Sequence, residues 1–368
     1  ITEQAEREGL TTNYHEDPDD GEALTIELPP VTLVDMREEL KAGNASMFSR
    51  ALMEALTATL NRNEQAILLL NRRGASTYVF CRDCGFVLHC PRCDSPLTYH
   101  NYSTTLRCHH CGYEGANVTV CPNCQSNRIK FFGAGTQQLE AEVQKHFPQT
   151  RIVRWDSDTA SNAEMHDAIL GRFLEHQADV MVGTQLVAKG LDLPRVTLVG
   201  VISADTGLNL PDFRAGERTF QLLTQVAGRA GRALPGGRVI LQTYQPDHYA
   251  IKAASKHDYA GFYAQELQFR RELGYPPFRR LAMIEFRHQR EIKARDEAQR
   301  AAAILQQRIH DLGLTATELI GPAPCFFSRV NDQYRWHLLI RSPNPARLLE
   351  DFDPPHGWYI DLDPVDLL

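Results

Sequence analysis

The sequence predicts an α/β chain: a mainly parallel sheet covered by helices on both faces, interrupted by a cysteine-rich insert and followed by a smaller α+β unit of ferredoxin-like order. Three observations predict it. From Ala66 to Tyr244, apolar runs of strand length alternate with amphipathic helical stretches, the order that sets parallel strands beneath crossover helices. Eight of the nine cysteines fall in four Cys-x-x-Cys pairs between Cys81 and Cys124. After the breaker Gly274-Tyr275-Pro276-Pro277 the pattern becomes strand, helix, strand, strand, helix, strand, a split βαβ order that does not by itself specify a function.

A chain of 368 residues is long enough for two or three compact domains, and 43% apolar with 23% charged residues is an ordinary globular composition. No run of about 18 apolar residues occurs and the opening is polar and acidic, so neither a membrane span nor a secretory signal is read, and a cytoplasmic setting is expected. The first residue is Ile1 and the stretch to Pro30 is charged and weakly patterned, which reads as a fragment. A net charge of −7 argues against nucleic-acid binding by bulk electrostatics but would hide a local basic groove.

The elements follow in order. Ser46 is placed to cap a helix whose Phe48, Leu52, Leu56 and Leu60 share a face, and Ala66 to Leu70 reads as a buried strand ending in Asn71-Arg72-Arg73-Gly74. Beyond the cysteines, Thr136 to Phe147 reads as helix, Arg151 to Trp155 as strand, Ala163 to His176 as helix and Val180 to Gly183 as strand. Val196 to Ser203 and Arg238 to Tyr244 read as strands around a helix from Glu217 to Ala227, and His257 to Leu273 as a helical connector. The last unit reads as strands Leu281 to Phe286, Thr317 to Ile320, Tyr334 to Ile340 and Trp358 to Leu362, with helices Ile292 to Leu312 and Ala346 to Phe352. Its Cys325 is expected to be a packed small hydrophobe, not a reactive thiol.

Four thiolate pairs make two four-cysteine sites with no open position, the structural form of zinc binding, so two Zn²⁺ are expected. Disulfides and a thioredoxin-like redox role are both disfavoured, the latter because that motif occurs once and not four times. Three pairings are possible. Cys90, Cys93, Cys108 and Cys111 have zinc-ribbon spacing, which favours a nested arrangement in which Cys81, Cys84, Cys121 and Cys124 close the base of the insert. His89, His100, His109 and His110 could replace a cysteine, but are expected at the surface or behind the ligands. Residues 71–132 carry seven Arg or Lys against three carboxylates, with Tyr99, Tyr102 and Tyr113 interleaved. That suits contact with DNA backbone and unpaired bases. The alternative stays open: two dications against eight thiolates cancel the basic excess and leave a neutral rigid arm for protein contacts.

The most specific information lies in Val182-Gly183-Thr184-Gln185-Leu186-Val187-Ala188-Lys189-Gly190-Leu191-Asp192 and Gln225-Val226-Ala227-Gly228-Arg229-Ala230-Gly231-Arg232. Glycines let a backbone approach phosphate, and arginines three apart present bidentate donors to one. The pair resembles motifs V and VI of superfamily 2 helicases. With Asn71-Arg72-Arg73-Gly74, Phe80-Cys81-Arg82-Asp83-Cys84-Gly85, Arg107-Cys108-His109-His110-Cys111-Gly112-Tyr113, Asp205 to Arg214 and Leu273 to Phe278, the wider resemblance is to the PriA family of bacterial replication-restart helicases. It covers Pro30 to Phe278 closely and runs more loosely to the end through Gly321-Pro322-Ala323-Pro324 and Tyr334-Arg335-Trp336.

The resemblance implies an ATP-dependent 3′-to-5′ DNA helicase that acts at stalled forks and reloads the replicative helicase. Its partners would be forked and single-stranded DNA, primosome proteins and single-stranded DNA-binding protein, with no membrane. It makes the parallel-sheet unit a RecA-like second helicase lobe. By analogy, Arg229 and Arg232 would reach the ATP γ-phosphate, Gly190, Asp192, Gln225 and Gly228 would border the nucleotide, and Asn71, Arg72, Gly135, Thr136 and Thr184 would hold the tracked strand. No Gly-x-x-x-x-Gly-Lys-Ser/Thr loop and no acidic Mg²⁺ motif occurs in this sequence, so the chain alone is expected to be inactive, with ATP and Mg²⁺ used by the full-length enzyme. The expected division is residues 1–30 as linker or first-lobe remnant, 31–80 with 131–250 as second lobe, 81–130 as two-zinc insert, 251–280 as connector and 281–368 as C-terminal domain. The competing reading is a non-catalytic zinc-ribbon adaptor for nucleic acid or protein on a RecA-like scaffold.

Overall fold

The computed structural model describes residues 28–70, 77–100, 105–131, 135–156, 159–160, 162–184, 193–230, 236–352 and 354–368. In chain order, β1 (Val31–Asp35), α1 (Met36–Lys41), α2 (Arg50–Asn61) and β2 (Gln65–Leu70) lead into five short strands, β3 (Thr77–Cys81), β4 (Thr98–His100), β5 (Thr105–Arg107), β6 (Glu114–Ala116) and β7 (Ile129–Phe131). Alternation resumes with α3 (Thr136–His146), β8 (Ile152–Trp155), α4 (Ala163–Leu174), β9 (Val180–Gly183), β10 (Val196–Ser203), α5 (Asp205–Leu208), α6 (Ala215–Ala227) and β11 (Arg238–Thr243). Helices α7 (Tyr249–Ser255) and α8 (Tyr259–Leu273) connect to β12 (Arg280–His288), α9 (Glu291–Asp311), β13 (Glu318–Val330), β14 (Gln333–Ser342), α10 (Pro345–Leu349) and β15 (Trp358–Leu362).

The main sheet runs β1-β11-β10-β2-β9-β8 with every pair parallel. Because strand side chains alternate in direction, β2 sends Ile67 and Leu69 toward Phe173 of α4 and Phe220 of α6, and Ala66, Leu68 and Leu70 toward Leu52 and Leu56 of α2. Both faces are covered, which is why its central strands read as unbroken apolar runs. At Gly200, in the middle of β10, a Cβ would meet Leu68 at 2.7 Å and Leu52 at 2.8 Å, so α2 can pack this close only over glycine.

The cap of α2 is three residues later than expected. Ser49, fully buried, accepts from the Leu52 amide at 3.2 Å, while the Ser46 hydroxyl accepts from the Phe48 amide and shapes the turn before the helix. The helix read from His257 to Leu273 is α8; α7 comes before it, and the chain turns between the two at His257, whose φ is 54°.

The C-terminal sheet runs β13-β14-β12-β15, all antiparallel, the strand order of a ferredoxin-like fold. Ala298, Ala301, Leu305 and Ile309 of α9 pack on Ile284, Phe286, Leu338 and Ile340. Strand β13 runs well past the four residues expected, continuing through Pro322 and Pro324. They are tolerated because β13 is an edge strand, and the register with β14 slips on either side of that segment. Cys325 is buried in β13 and burial pushes its thiol up to about 12, the packed hydrophobe expected.

Candidate metal centres and sheet edge

Each Cys-x-x-Cys pair sits in the same backbone turn. The amide four residues after the first cysteine donates back to that cysteine's carbonyl: Gly85 to Cys81, Asp94 to Cys90, Gly112 to Cys108 and Gln125 to Cys121, at 2.8 to 3.0 Å. The donor residue has φ between 56° and 78° in all four, the left-handed conformation that reverses the chain and turns both thiols to one side.

The turns meet in nested fashion. Cys81, Cys84, Cys121 and Cys124 gather in one group, Cys90, Cys93, Cys108 and Cys111 in another, with all sulfurs of a group within 4.8 Å of one another. The cross-turn separations are 3.6 Å (Cys81 to Cys124), 3.7 Å (Cys84 to Cys121), 3.6 Å (Cys90 to Cys111) and 3.5 Å (Cys93 to Cys108). A disulfide needs about 2.05 Å. A tetrahedron of thiolates with metal bonds of about 2.3 Å has edges of roughly 3.8 Å. The sulfurs therefore fit a tetrahedral metal ion and no disulfide. Four thiols this close cannot all ionise unaided: the Cys93 thiol hydrogen-bonds Cys108 and holds it down at about 5, while Cys93 is driven up by the same contact. A dication would stabilise all four thiolates together.

The two groups rest on different bodies. Gly85, beside the first, packs against the Tyr244 carbonyl so closely that no Cβ fits, Arg37 donates to the Cys84 carbonyl at 3.3 Å, and Arg82 to the Tyr244 hydroxyl at 3.1 Å. Tyr78, Phe80 and Val87 add an apolar seal on Met36 and Tyr244. Beside the second group, Gly112 lies where a Cβ would be 2.6 Å from the Pro322 carbonyl of β13. His109 and His110, expected at the surface or behind the ligands, are buried against the C-terminal unit. The His109 ring is 3.0 Å from the Pro324 carbonyl and that of His110 is 3.1 Å from the Tyr275 hydroxyl. Burial holds His110 down at about 4, so it is neutral at pH 7. His89 instead bonds the Asp94 carbonyl at 2.6 Å, and the side chain of His100 is outside the described residues. Tyr99 and Tyr113 are half-buried against the insert's own core; Tyr102 lies outside the described residues.

At the C-terminal edge of the parallel strands, the segment after β8 meets the start of α3, and the residue after β9 bonds the end of β8. Gly135 precedes that helix in extended conformation without a side-chain cap. The Thr136 hydroxyl donates to Asp156 at 2.5 Å and the Thr184 amide to the Trp155 carbonyl at 3.4 Å. Burial would raise Asp156, but the Thr136 and Thr159 hydroxyls and Arg154 outweigh it and hold the carboxyl below its usual value. The Thr136 hydroxyl is therefore engaged, and the free backbone amides of the first turn of α3 are what this edge offers an anion. Asp156 was not anticipated from sequence; the Asp-x-x-Thr pattern with Thr159, a side chain bonding its own turn, was the available signal. Elsewhere in the lobe, Gln225 at the end of α6 is exposed, Gly228 ends the helix, and Arg229 is only 8% exposed. Asn71, Arg72, Gly190, Asp192 and Arg232 lie outside the described residues.

Three family descriptions match along the chain: PriA DNA helicase Cys-rich region domain over residues 90–114, helicase conserved C-terminal domain over 118–234, and primosomal protein N C-terminal domain over 271–365. Replication restart protein PriA of Bacillus subtilis is 48% identical over 321 residues, covering 87% of this chain and 39% of the relative. That of Synechocystis is 44% identical over 345 residues, covering 91% and 41%, and that of Treponema pallidum 40% over 349, covering 92% and 52%. The chain thus spans about half or less of the length of these relatives. It belongs to the PriA family of replication-restart proteins and matches the C-terminal half.

Proposed function

We propose that the chain is the second motor lobe, two-zinc insert and C-terminal domain of an ATP-dependent 3′-to-5′ DNA helicase that restarts replication at stalled forks. In this reading the lobe spans residues 31–80 and 131–250, the insert 81–130, the connector 251–280 and the C-terminal domain 281–368. The observation that carries it is the edge of the sheet where Thr136 at the uncapped start of α3 bonds Asp156 and Thr184 bonds the adjacent Trp155, the place where open α/β sheets bind ligands. There the amides at Gly135 and Thr136, with Thr184, Asn71 and Arg72, hold phosphates of a single strand. Arg232 supplies charge to the nucleotide γ-phosphate in the full-length enzyme. Arg229, held inside the lobe, positions the turn that carries it, while Gln225, Gly228, Gly190 and Asp192 border the nucleotide. ATP and Mg²⁺ are bound mainly by the first lobe. Zn²⁺ fills both cysteine groups, the identity that four thiolates in tetrahedral array select. Forked DNA, primosome proteins and single-stranded DNA-binding protein are the partners of the whole protein.

The test is binding of single-stranded DNA by the purified chain across a salt series. Affinity is expected to fall as salt rises, by about 0.7 in log affinity per unit of log salt for each phosphate that a cation neutralises, with no ATP hydrolysis by the chain alone. Salt-independent affinity, or none, favours the adaptor reading.

A further inference from the structure

The insert and the C-terminal unit enclose a cleft of about 220 Å³ that none of the roles above uses, lined by Arg107 and Glu114 from β5 and β6, Glu291, Ile292 and Arg295 from the start of α9, and Trp336 from β14. Its volume is below the roughly 300 to 1,000 Å³ of sites for drug-sized ligands; it suits one planar ring system.

The chemistry of the lining is specific. Arg107 is 14% exposed and pairs through one terminal nitrogen with Glu114 at 2.5 Å, yet its Nε–H is buried without any hydrogen-bond partner. A buried orphan donor costs on the order of 1 to 3 kcal/mol, so an acceptor belongs beside it. Among the described residues, no hydrogen bond or ion pair engages Glu291, and nothing accepts from the Trp336 indole N–H. Ile292 is 63% exposed, an isolated apolar side chain at the rim. The two arginines and two carboxylates cancel, so the cleft does not attract an anion as such. What remains is one aromatic side chain, Trp336, beside a buried unpaired donor on Arg107 and the exposed carboxylate of Glu291. A planar, neutral group that carries both acceptors and N–H donors on its rim matches these features.

We infer that this cleft is a binding site for one unpaired nucleobase of a single strand, with Trp336 as stacking surface, Arg107 as donor and Glu291 as acceptor. The inference rests on the reading of the chain as a DNA motor and adds to it a site that contacts bases, at the joint between insert and C-terminal unit. Base stacking on an aromatic side chain is sequence-tolerant, so this site feels whether a base is present more than which base it is.

The experiment compares a short single-stranded oligodeoxynucleotide with a fully abasic one of equal length and charge, on the whole chain at one salt concentration. Trp336→Leu is expected to weaken the base-bearing strand about tenfold and to leave the abasic strand unchanged. Ile292→Ser, an exposed position that cannot unfold the domain, should weaken the same strand about two- to threefold, which keeps the test valid if Trp336→Leu disturbs folding. Photocrosslinking of an iodouracil-substituted strand is expected to map to Trp336. Equal weakening of both strands by the variants, no weakening of either, or crosslinks confined to other segments overturns the site. In those cases salt-dependent binding of both strands would still stand, so the motor reading fails only on its own test.

Discussion

Gly85 and Gly112 occupy the same place in two of the four cysteine turns, and the corresponding residues in the other two are Asp94 and Gln125. All four have positive φ. The difference is what lies outside: Asp94 and Gln125 face solvent, whereas Gly85 and Gly112 are pressed against the backbone carbonyls of Tyr244 and Pro322. Glycine is needed where another chain segment closes on the turn, and a side chain is accepted where nothing does. Gly112→Ala should therefore cost at least about 1 to 2 kcal/mol for the left-handed backbone alone and push the insert off β13. Asp94→Gly, at an open turn, should stay within about 1 kcal/mol of the parent. Urea denaturation of the two variants compares them, and equal stability would show that the Pro322 contact is unimportant. The Cys-Gly pairs were visible in the sequence; their docking partners were not, since Tyr244 and Pro322 are more than a hundred residues away.

The insert is a separable element built from two metal groups, each closed by turns from opposite ends of the segment. Cys93→Ser removes one ligand from the outer group only. Elemental analysis should then find one tightly held zinc ion in place of two, with the parallel sheet intact by circular dichroism. Loss of both ions, or of neither, would contradict two independent four-thiolate sites. Structural zinc contributes on the order of 10 kcal/mol to such modules, so the outer half of the insert should become protease-sensitive. Elements of this kind were legible where one local rule acts alone. The bounds of β9, β10 and β15 follow from apolar runs between breakers, and the nested cysteines from ribbon spacing. Sequence reading failed where tertiary context decides. Gly321-Pro322-Ala323-Pro324 reads as a break, yet it continues a strand because β13 lies at a sheet edge. Ser46 and Ser49 both precede the same apolar face, and only the burial of Ser49 selects it as cap. The helix Tyr249–Ser255, which ends before the positive φ of His257, is not read from the sequence at all. At the candidate site, the sequence leaves His109 and His110 open between the surface and a place behind the ligands, because no local pattern encodes the surface of β13 and Tyr275 that buries them.

Across the whole molecule, α6 ties the parallel-sheet unit to the other two parts. Its C-terminal end carries Gln225 and leads to Arg229. At its N-terminal end, Arg214 and Arg218 donate to the Val365 carbonyl at 3.1 and 2.8 Å, and Phe213 stacks on Tyr275, which contacts His110 of the insert. Glu217 receives Arg214 and Arg270 together and is held at about 2 against the opposing effect of its burial. Lobe, insert and C-terminal unit thus meet around one helix and one tyrosine, as parts that act in concert require. We read this assembly as the second lobe of an ATP-driven motor whose Arg232 acts on nucleotide held by the first. The most direct test is the steady-state ATPase rate of a chimera in which the chain replaces the matching part of the Bacillus subtilis relative, with and without Arg232→Ala. DNA-stimulated turnover by the chimera, none by the chain alone, and a loss of about 10³-fold or more in the variant is the result expected; undiminished turnover in the variant, or DNA-stimulated hydrolysis by the chain without a first lobe, would contradict it.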